Sequence, residues 1–274
     1  DVTEFEFNQY YTGLRMDAIP AGLLGATVSK GPLPPKSDSY PKEKDWRDED
    51  NVTPVKNQGS CGSCWAFSAN AALESVVQLA TGELIDMAEQ QLVDCDKKSG
   101  GCRGGFMHWA YMSVAEQDGI TGQKEYPYTA KTGKTCKAGD CSKVADVEHD
   151  TQFHFHCAEY GLEPEYKTDE PCSEKPGEGI EAALNDYGVL ANAINAKGIM
   201  KYRKGIANPK ASKCKPSGLN HGVAIVGYGS EGGQDYWIIK NSWGTKWGEK
   251  GYLRIIRGAG SCGLNKVVLS PTSA

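Results

Sequence analysis

An α+β chain with two unlike halves is what this 274-residue sequence predicts. The first half carries one long helical pattern, and the second carries short β-rich runs separated by glycine turns. A proline-rich stretch sets off the N-terminal end. Hydrophobic residues make up 39% of the chain and charged residues 24%, the balance of a soluble globular protein with a proper core. No run approaches 18 consecutive apolar residues, so no membrane span is expected. The formal net charge is −5 and no long basic cluster appears. Phosphates would repel such a chain, so nucleic acid is not an expected partner.

Residues 1–30 are mildly helical in composition. Residues 31–42, GPLPPKSDSYPK, hold four prolines and read as an extended linker or cleavable strap. The chain opens at Asp1 with neither Met nor a signal-like segment, as a processed product would. From Cys61 to Ala80 the pattern is helical. Trp65, Ala69, Ala72, Val76 and Ala80 line one face and Phe67, Leu73 and Val77 another, so this helix is expected to be buried nearly all round. Ser60 and Ser63 can cap its start, and Gly82 ends it. More helix is predicted around 88–94 and 105–117. The runs GVAIVGYG (222–229), YWIIK (236–240) and GYLRIIR (251–257) predict strands of an antiparallel sheet. A cleft between two such halves is a usual place for a site.

Ten scattered cysteines suit disulfides in an oxidising compartment. Cys61 and Cys64 form the only CxxC, whereas a zinc ribbon needs two. A polar loop, NVTPVKNQG, precedes the pair instead of the strand that a thioredoxin-like redox motif requires. What remains is one structural sulfur beside one reactive sulfur. Cys64 falls in the first turn of the predicted helix, where free N–H groups and the helix dipole favour a thiolate. His221, at the entrance to one strand, and Asn241, at the end of the next, could meet across adjacent antiparallel strands. Asn241 would then fix the imidazole tautomer.

Four ordered blocks, QGSCGSCWAFSA, GCRGG, NHGVAIVGYG and KNSWGTKWGEKGY, resemble the hallmarks of the papain family of cysteine proteases, and most of all its cathepsin L-type endopeptidases. The resemblance covers about residues 40–274. It implies a papain-like two-lobed α+β fold, with a helical left lobe (about 49–150), an antiparallel β-barrel right lobe (about 151–274 plus 40–48) and the active-site cleft between them. It makes Cys64 the nucleophile, His221 its base and acid, Asn241 the residue that orients His221, and Trp243 the shield over that hydrogen bond. Gln58 and the Cys64 N–H would form the oxyanion hole. Cys61 would pair with Cys102, Cys95 with Cys136, and Cys214 with Cys262. Gly104 and Gly105 would let substrate backbone lie close. Phe106, Met107, Ala193, Leu219 and Val267 would line the pocket for the second residue before the cut, which would then prefer Leu, Phe or Val to Arg.

The sequence departs from the family pattern in two places. Cys64 and His221 stand 157 residues apart, roughly twenty more than the usual spacing of about 130–150. The excess is expected in a 137–178 insertion that also holds Cys141, Cys157 and Cys172. Cys157 and Cys172 could close a loop, and Cys141 would be left over or replace Cys136. FHFHC (153–157) puts His154 and His156 on one face of a strand, expected to be solvated rather than metal-binding. The second departure is residues 1–39. DVTEFEFNQYYTGL resembles the end of the family's inhibitory propeptide, with a mature N-terminus near Tyr40. The sequon at Asn51 is weak evidence for a glycan.

The resemblance thus implies a cysteine endopeptidase made as a zymogen and acting on protein and peptide substrates in a lysosomal, vacuolar or secreted setting. No metal or organic cofactor is implied. Its own propeptide and cystatin-type inhibitors are the expected partners, and a monomer the expected state. An exopeptidase of the same fold, a binding protein that has lost catalysis and a redox protein are the rival readings.

Overall fold

A computed structural model describes residues 3, 6–15, 40–147, 153–158, 172–176 and 178–272. The segment predicted as a proline-rich strap, up to residue 39, and most of the 148–171 stretch lie outside the described residues.

The long helix spans Cys64–Thr81 and stops at Gly82, which takes the left-handed conformation at φ 81°. Thirteen of its residues are buried, from Cys64 to Val77, as the all-round apolar pattern requires. Ser63 occupies the N-cap position but makes no capping bond. Its hydroxyl is 2.6 Å from the Tyr128 hydroxyl instead. The helices Glu89–Cys95 and Met107–Glu116 pack beside the first. Together with Trp65, Leu73, Met87, Leu92, Phe106 and Tyr111 they enclose the first apolar core.

The other half is a mostly antiparallel sheet. In chain order its strands are β1 (Lys44–Asp45), β4 (Phe153–Ala158), β5 (Leu190–Ile194), β6 (Ile206–Ala207), β7 (His221–Glu231), β8 (Gln234–Lys240), β9 (Tyr252–Ile256) and β10 (Val267–Pro271). Across the sheet they run β4-β10-β5-β7-β8-β9-β6, with β1 added to β7. Strands β2 (Ile120–Thr121) and β3 (Lys143–Ala145) form a separate pair. A fourth helix, Gly179–Tyr187, and Trp46 pack with Val223, Ile225, Trp237 and Leu253 in the second core. The architecture is the two-lobed α+β arrangement. The long helix lies against β7, so its start meets the start of that strand.

Disulfides join Cys61 to Cys102, Cys95 to Cys136 and Cys214 to Cys262. Cys64 and Cys141 are free, so Cys141 does not displace Cys136. Cys172 is also disulfide-bonded, while the Cys157 side chain lies outside the described residues.

Three local expectations are corrected. His156 does not lie on a solvated face: it is buried, and its Nε2 sits 3.0 Å from Ser270 Oγ on β10. The reason is that β4 pairs with β10 and joins the main sheet, so Phe153 and Phe155 enter the helical core on one face while His154 and His156 meet Tyr187 on the other. The 137–178 stretch is therefore not simply an exposed insertion. Asn51 is buried and donates from Nδ2 to Ser75 Oγ at 2.8 Å, so its amide is not open to a glycan.

Candidate active site

Cys64 is the first residue of the long helix and His221 the first of β7. The Gly222 N–H donates to Cys64 Sγ at 3.3 Å, which brings the sulfur to the root of the histidine. On the far side of the ring, His221 Nε2 lies 2.8 Å from Asn241 Oδ1. That bond leaves Nδ1 as the ring nitrogen without a hydrogen bond among the described residues. Asn241 follows β8 directly, and the β7–β8 ladder delivers it to His221. The Trp243 ring lies 4.7 Å from the His221 ring at a tilt of 30°, covering the His–Asn bond.

Gln58 is fully buried and fixed at both ends of its amide. Its Oε1 accepts from Ser242 Oγ at 2.6 Å, and its Nε2 donates to the Cys61 carbonyl at 2.9 Å. Nε2 also reaches a second peptide oxygen, the Tyr10 carbonyl, at 3.4 Å.

Tyr10 belongs to a segment that covers the whole site. Phe7 and Tyr11 pack against Trp243, whose Nε1 donates to the Tyr11 carbonyl at 3.0 Å. Gly13 then crosses so close to Gly62 that a Cβ on it would stand 2.0 Å from the Gly62 carbonyl oxygen. The N–H groups of Gly13 and Leu14 both donate to the Asn220 carbonyl at 3.1 Å. Gly105 N–H donates to the Gly13 carbonyl at 2.9 Å, and Arg15 N–H returns a bond to the Gly105 carbonyl at 3.1 Å. Leu14 is thereby paired with Gly105 in the parallel sense. Gly104, at φ 108°, has no room for a side chain: a Cβ would lie 2.6 Å from the Gly13 carbonyl. Leu14 is buried in the apolar cluster that contains Phe106, Met107, Ala193, Leu219 and Val267.

The sealed site has an electrostatic signature. Burial pushes the Cys64 thiol up to about 12, although the N–H groups of Gly222, Trp65 and Gly13 draw it down. Burial also pushes His221 down to about 4, against the pull of its bond to Asn241. With the segment seated, burial therefore works against a thiolate–imidazolium pair, raising Cys64 and lowering His221.

A model of the papain family of cysteine proteases matches residues 40–272. The chain belongs to that family. The "Probable cysteine protease RD19D" of Arabidopsis thaliana is 41% identical over 284 residues, covering 98% of this chain and 70% of that protein. Among solved structures, bromelain from Ananas comosus in complex with the E64 inhibitor superposes with a TM-score of 0.71 at 34% identity, covering 85% of this chain and 99% of that one. The ragweed pollen allergen Amb a 11, a cysteine protease solved in its proform, superposes with a TM-score of 0.78 at 32% identity, covering 98% of this chain and 77% of that one. The protein is thus a papain-family cysteine protease, a hydrolase of peptide substrates.

Within this papain-family frame the structure brings together every residue singled out for the catalytic centre. It also adds some that the motifs did not reveal. Ser242 anchors Gln58, and a buried charge cluster stands behind Asn241. Lys56 Nζ contacts Glu74 at 3.0 Å, Glu89 at 2.6 Å and Asp86 at 2.5 Å. Lys240 Nζ donates to Thr53 Oγ1 at 2.9 Å, and Thr53 Oγ1 donates to Glu74 at 2.5 Å. Burial raises Glu89 to about 7 despite the pull of Lys56. A cavity of about 20 Å³ among Lys56, Glu74, Glu89, Lys240, Gly222 and Asn241 is the size of one water. The cluster ties the 53–56 segment of the helical half to the end of β8, the residue before Asn241. One signal was available in the sequence: Glu74 sits in a helix predicted to be buried all round, and a buried carboxylate needs a partner. Among the described residues no group of three His, Cys, Asp or Glu side chains could hold a metal ion, and no helix is long and apolar enough to cross a membrane.

Proposed function

We propose that this protease is an endopeptidase synthesised as a zymogen, with Cys64 as nucleophile, His221 as proton carrier and Asn241 as the orienting residue. In the first step His221 Nδ1 takes the Cys64 proton as the sulfur attacks the peptide carbonyl. The oxyanion forms between Gln58 Nε2 and the Cys64 N–H, the leaving amine takes the proton back from His221, and a thioester remains. His221 then draws a proton from water, which hydrolyses that thioester and restores the thiol. The proximity of Gln58 Nε2 to a peptide carbonyl, that of Tyr10, supports its oxyanion role.

The observation that carries the endopeptidase reading is the continuous chain in the cleft. Residues 7–15 run from Trp243 past Cys64 to Gly105. A cleft that holds chain on both sides of the sulfur suits cuts within a chain; an exopeptidase needs one end blocked. The burial of Leu14 with Phe106, Met107, Ala193, Leu219 and Val267 supports a preference for Leu, Phe or Val over Arg at the second position before the cut. Residues 1–39 act as propeptide and linker, and 40–274 as the peptidase. The parallel pairing of Leu14 with Gly105 fits a segment running opposite to substrate, which resists cleavage. The disulfides suit a lysosomal, vacuolar or secreted monomer open to cystatin-type inhibitors.

A peptide blocked at both termini is the test. Its cleavage at an internal bond, with Leu favoured over Arg before the cut, is the expected result. Cleavage confined to free termini would establish the exopeptidase alternative. In the Val267→Glu enzyme the Arg substrate should gain on the Leu substrate; an unchanged ratio would remove Val267 from the pocket.

A further inference from the structure

We propose that the leaving-group side of the cleft holds a basic subsite, formed by Lys201, Arg203 and Lys246, that selects peptides with an acidic side chain after the cut. This rests on the endopeptidase reading above. If Leu14 marks the pocket before the cut, residues after it must pass over Trp243 toward Trp247.

A cavity of about 740 Å³ opens there, lined by Phe7, Tyr11, Met200, Tyr202, Trp243 and Trp247 together with the three cations. Phe7 and Tyr11 belong to the covering segment, so the cavity widens into an open cleft when that segment leaves. The floor is rigid and aromatic: Trp243 and Trp247 meet edge to face at 5.0 Å, and Tyr202 lies 5.6 Å from Trp247. Trp247 Nε1 donates to the Met200 carbonyl at 3.3 Å, which fixes the loop bearing Lys201 and Arg203 against the loop bearing Lys246. The cavity is continuous with the catalytic centre, since Trp243 itself covers His221.

The charge distribution selects the ligand. Lys201, Arg203 and Lys246 are exposed and make no ion pair among the described residues. Glu249, the carboxylate that follows Gly248 of the lining, is committed to Arg254 Nε at 2.9 Å and to the Gly205 N–H at 2.8 Å. Three like charges therefore face one cavity on a chain whose net charge is −5. A carboxylate arriving with the substrate enters a cavity whose cations have no carboxylate of their own among the described residues.

The test uses internally quenched peptides that differ only by Glu or Gln at the first, second or third position after the cut, with the full chain processed at mildly acidic pH. The readout is the Glu-to-Gln ratio of kcat/KM within each enzyme, so changes in overall turnover cancel. At one of the three positions Glu should be favoured roughly 3- to 10-fold at low salt, and less at high salt. In the Lys201→Gln/Arg203→Gln/Lys246→Gln variant the ratio should fall to about one. Glu no better than Gln at all three positions, or a ratio unmoved by the triple substitution, would overturn the subsite. So would a response of the wild type to dextran sulfate without any Glu preference, which would make the patch a polyanion site. A peptide ending in an aminocoumarin, with no residues after the cut, separates the two readings. If it is not hydrolysed, the catalytic assignment fails. The subsite is then read by titrating the Glu and Gln peptides onto Cys64→Ala chain whose covering segment has been removed by an added protease, where tighter Glu binding supports it and equal binding overturns it.

Discussion

His221 and His108 are both almost completely buried, and burial lowers both, His221 to about 4 and His108 to about 3. What buries them differs. His108 lies among Phe106, Trp109, Phe153 and Phe155, side chains of two elements packed in the permanent core. His221 has its sheet and Trp243 on one side, but over the catalytic pair lies a segment of residues 7–15, held by a few backbone hydrogen bonds, aromatic contacts and Leu14. A histidine silenced by core packing changes charge only when the protein opens. One silenced by residues 7–15, called the strap from here on, should change charge when that segment lifts.

The largest effect should come from the catalytic pair itself. With the strap removed, Cys64→Ala should lower kcat/KM by about 10⁴-fold or more, and Gln58→Ala by roughly 10²- to 10³-fold. Peptide hydrolysis by the processed enzyme, with circular dichroism as the check on folding, measures both. Near-native turnover by Cys64→Ala would end the comparison, because His221 would then have no nucleophile to serve.

Gly13→Ala should come next. Its Cβ has no space beneath Gly62, and overpacking of this kind costs roughly 1–3 kcal/mol. The strap should lift more often, and alkylation of Cys64 in the full chain at neutral pH should rise about tenfold, as mapped by peptide mass. Labelling at the wild-type rate would mean that Gly13 does not control access. Cys141 is the internal reference, since it is free in both proteins and distant in sequence from the strap.

The acid response tests the difference directly. In the covered state the His221 pKa is depressed below the ordinary value of 6.5. The uncovered ring therefore binds a proton that the covered ring does not. Its contribution to the covered state is complete above pH 6.5 and is lost as the pH falls toward 4. In the Cys64→Ala chain, which cannot cut itself, hydrogen-exchange protection of residues 10–15 should weaken over that window. Flat protection from pH 7 to 4 would show that strap and imidazole are not coupled.

His108→Phe should give the smallest change. The folded His108 pKa is also depressed, so its stabilising share is present above pH 6.5 and lost as acid is added toward pH 3. Phenylalanine keeps the aromatic packing and removes the titration. The fall in Tm between pH 7 and pH 4 should be smaller in the variant by a few degrees, while the alkylation rate of Cys64 stays as it is. An equal fall in both proteins would mean that the core histidine contributes nothing to acid sensitivity.

The sequence by itself determined the elements and the chemistry they carry. The long helix and its stop at Gly82 follow from apolar spacing and one glycine, although the pattern begins at Cys61 and the helix only at Cys64. The start of β7 and the end of β8 follow from apolar runs that put His221 at the head of one strand and Asn241 just past the end of its neighbour. These signals are local, carried by residues a few positions apart. The tertiary structure alone decided which groups lost water and what they met instead. Cys64 Sγ takes the N–H of a glycine 158 positions away, and Lys240 reaches Thr53 across 187. His156 was drawn into the sheet because β4 found β10, and Cys141 stayed free because Cys136 reached Cys95. Burial and charge state are sums over everything that packs around a group. For Cys64 and His221 that sum includes the segment of residues 7–15 from the far end of the chain, and no pattern within a short motif can carry it.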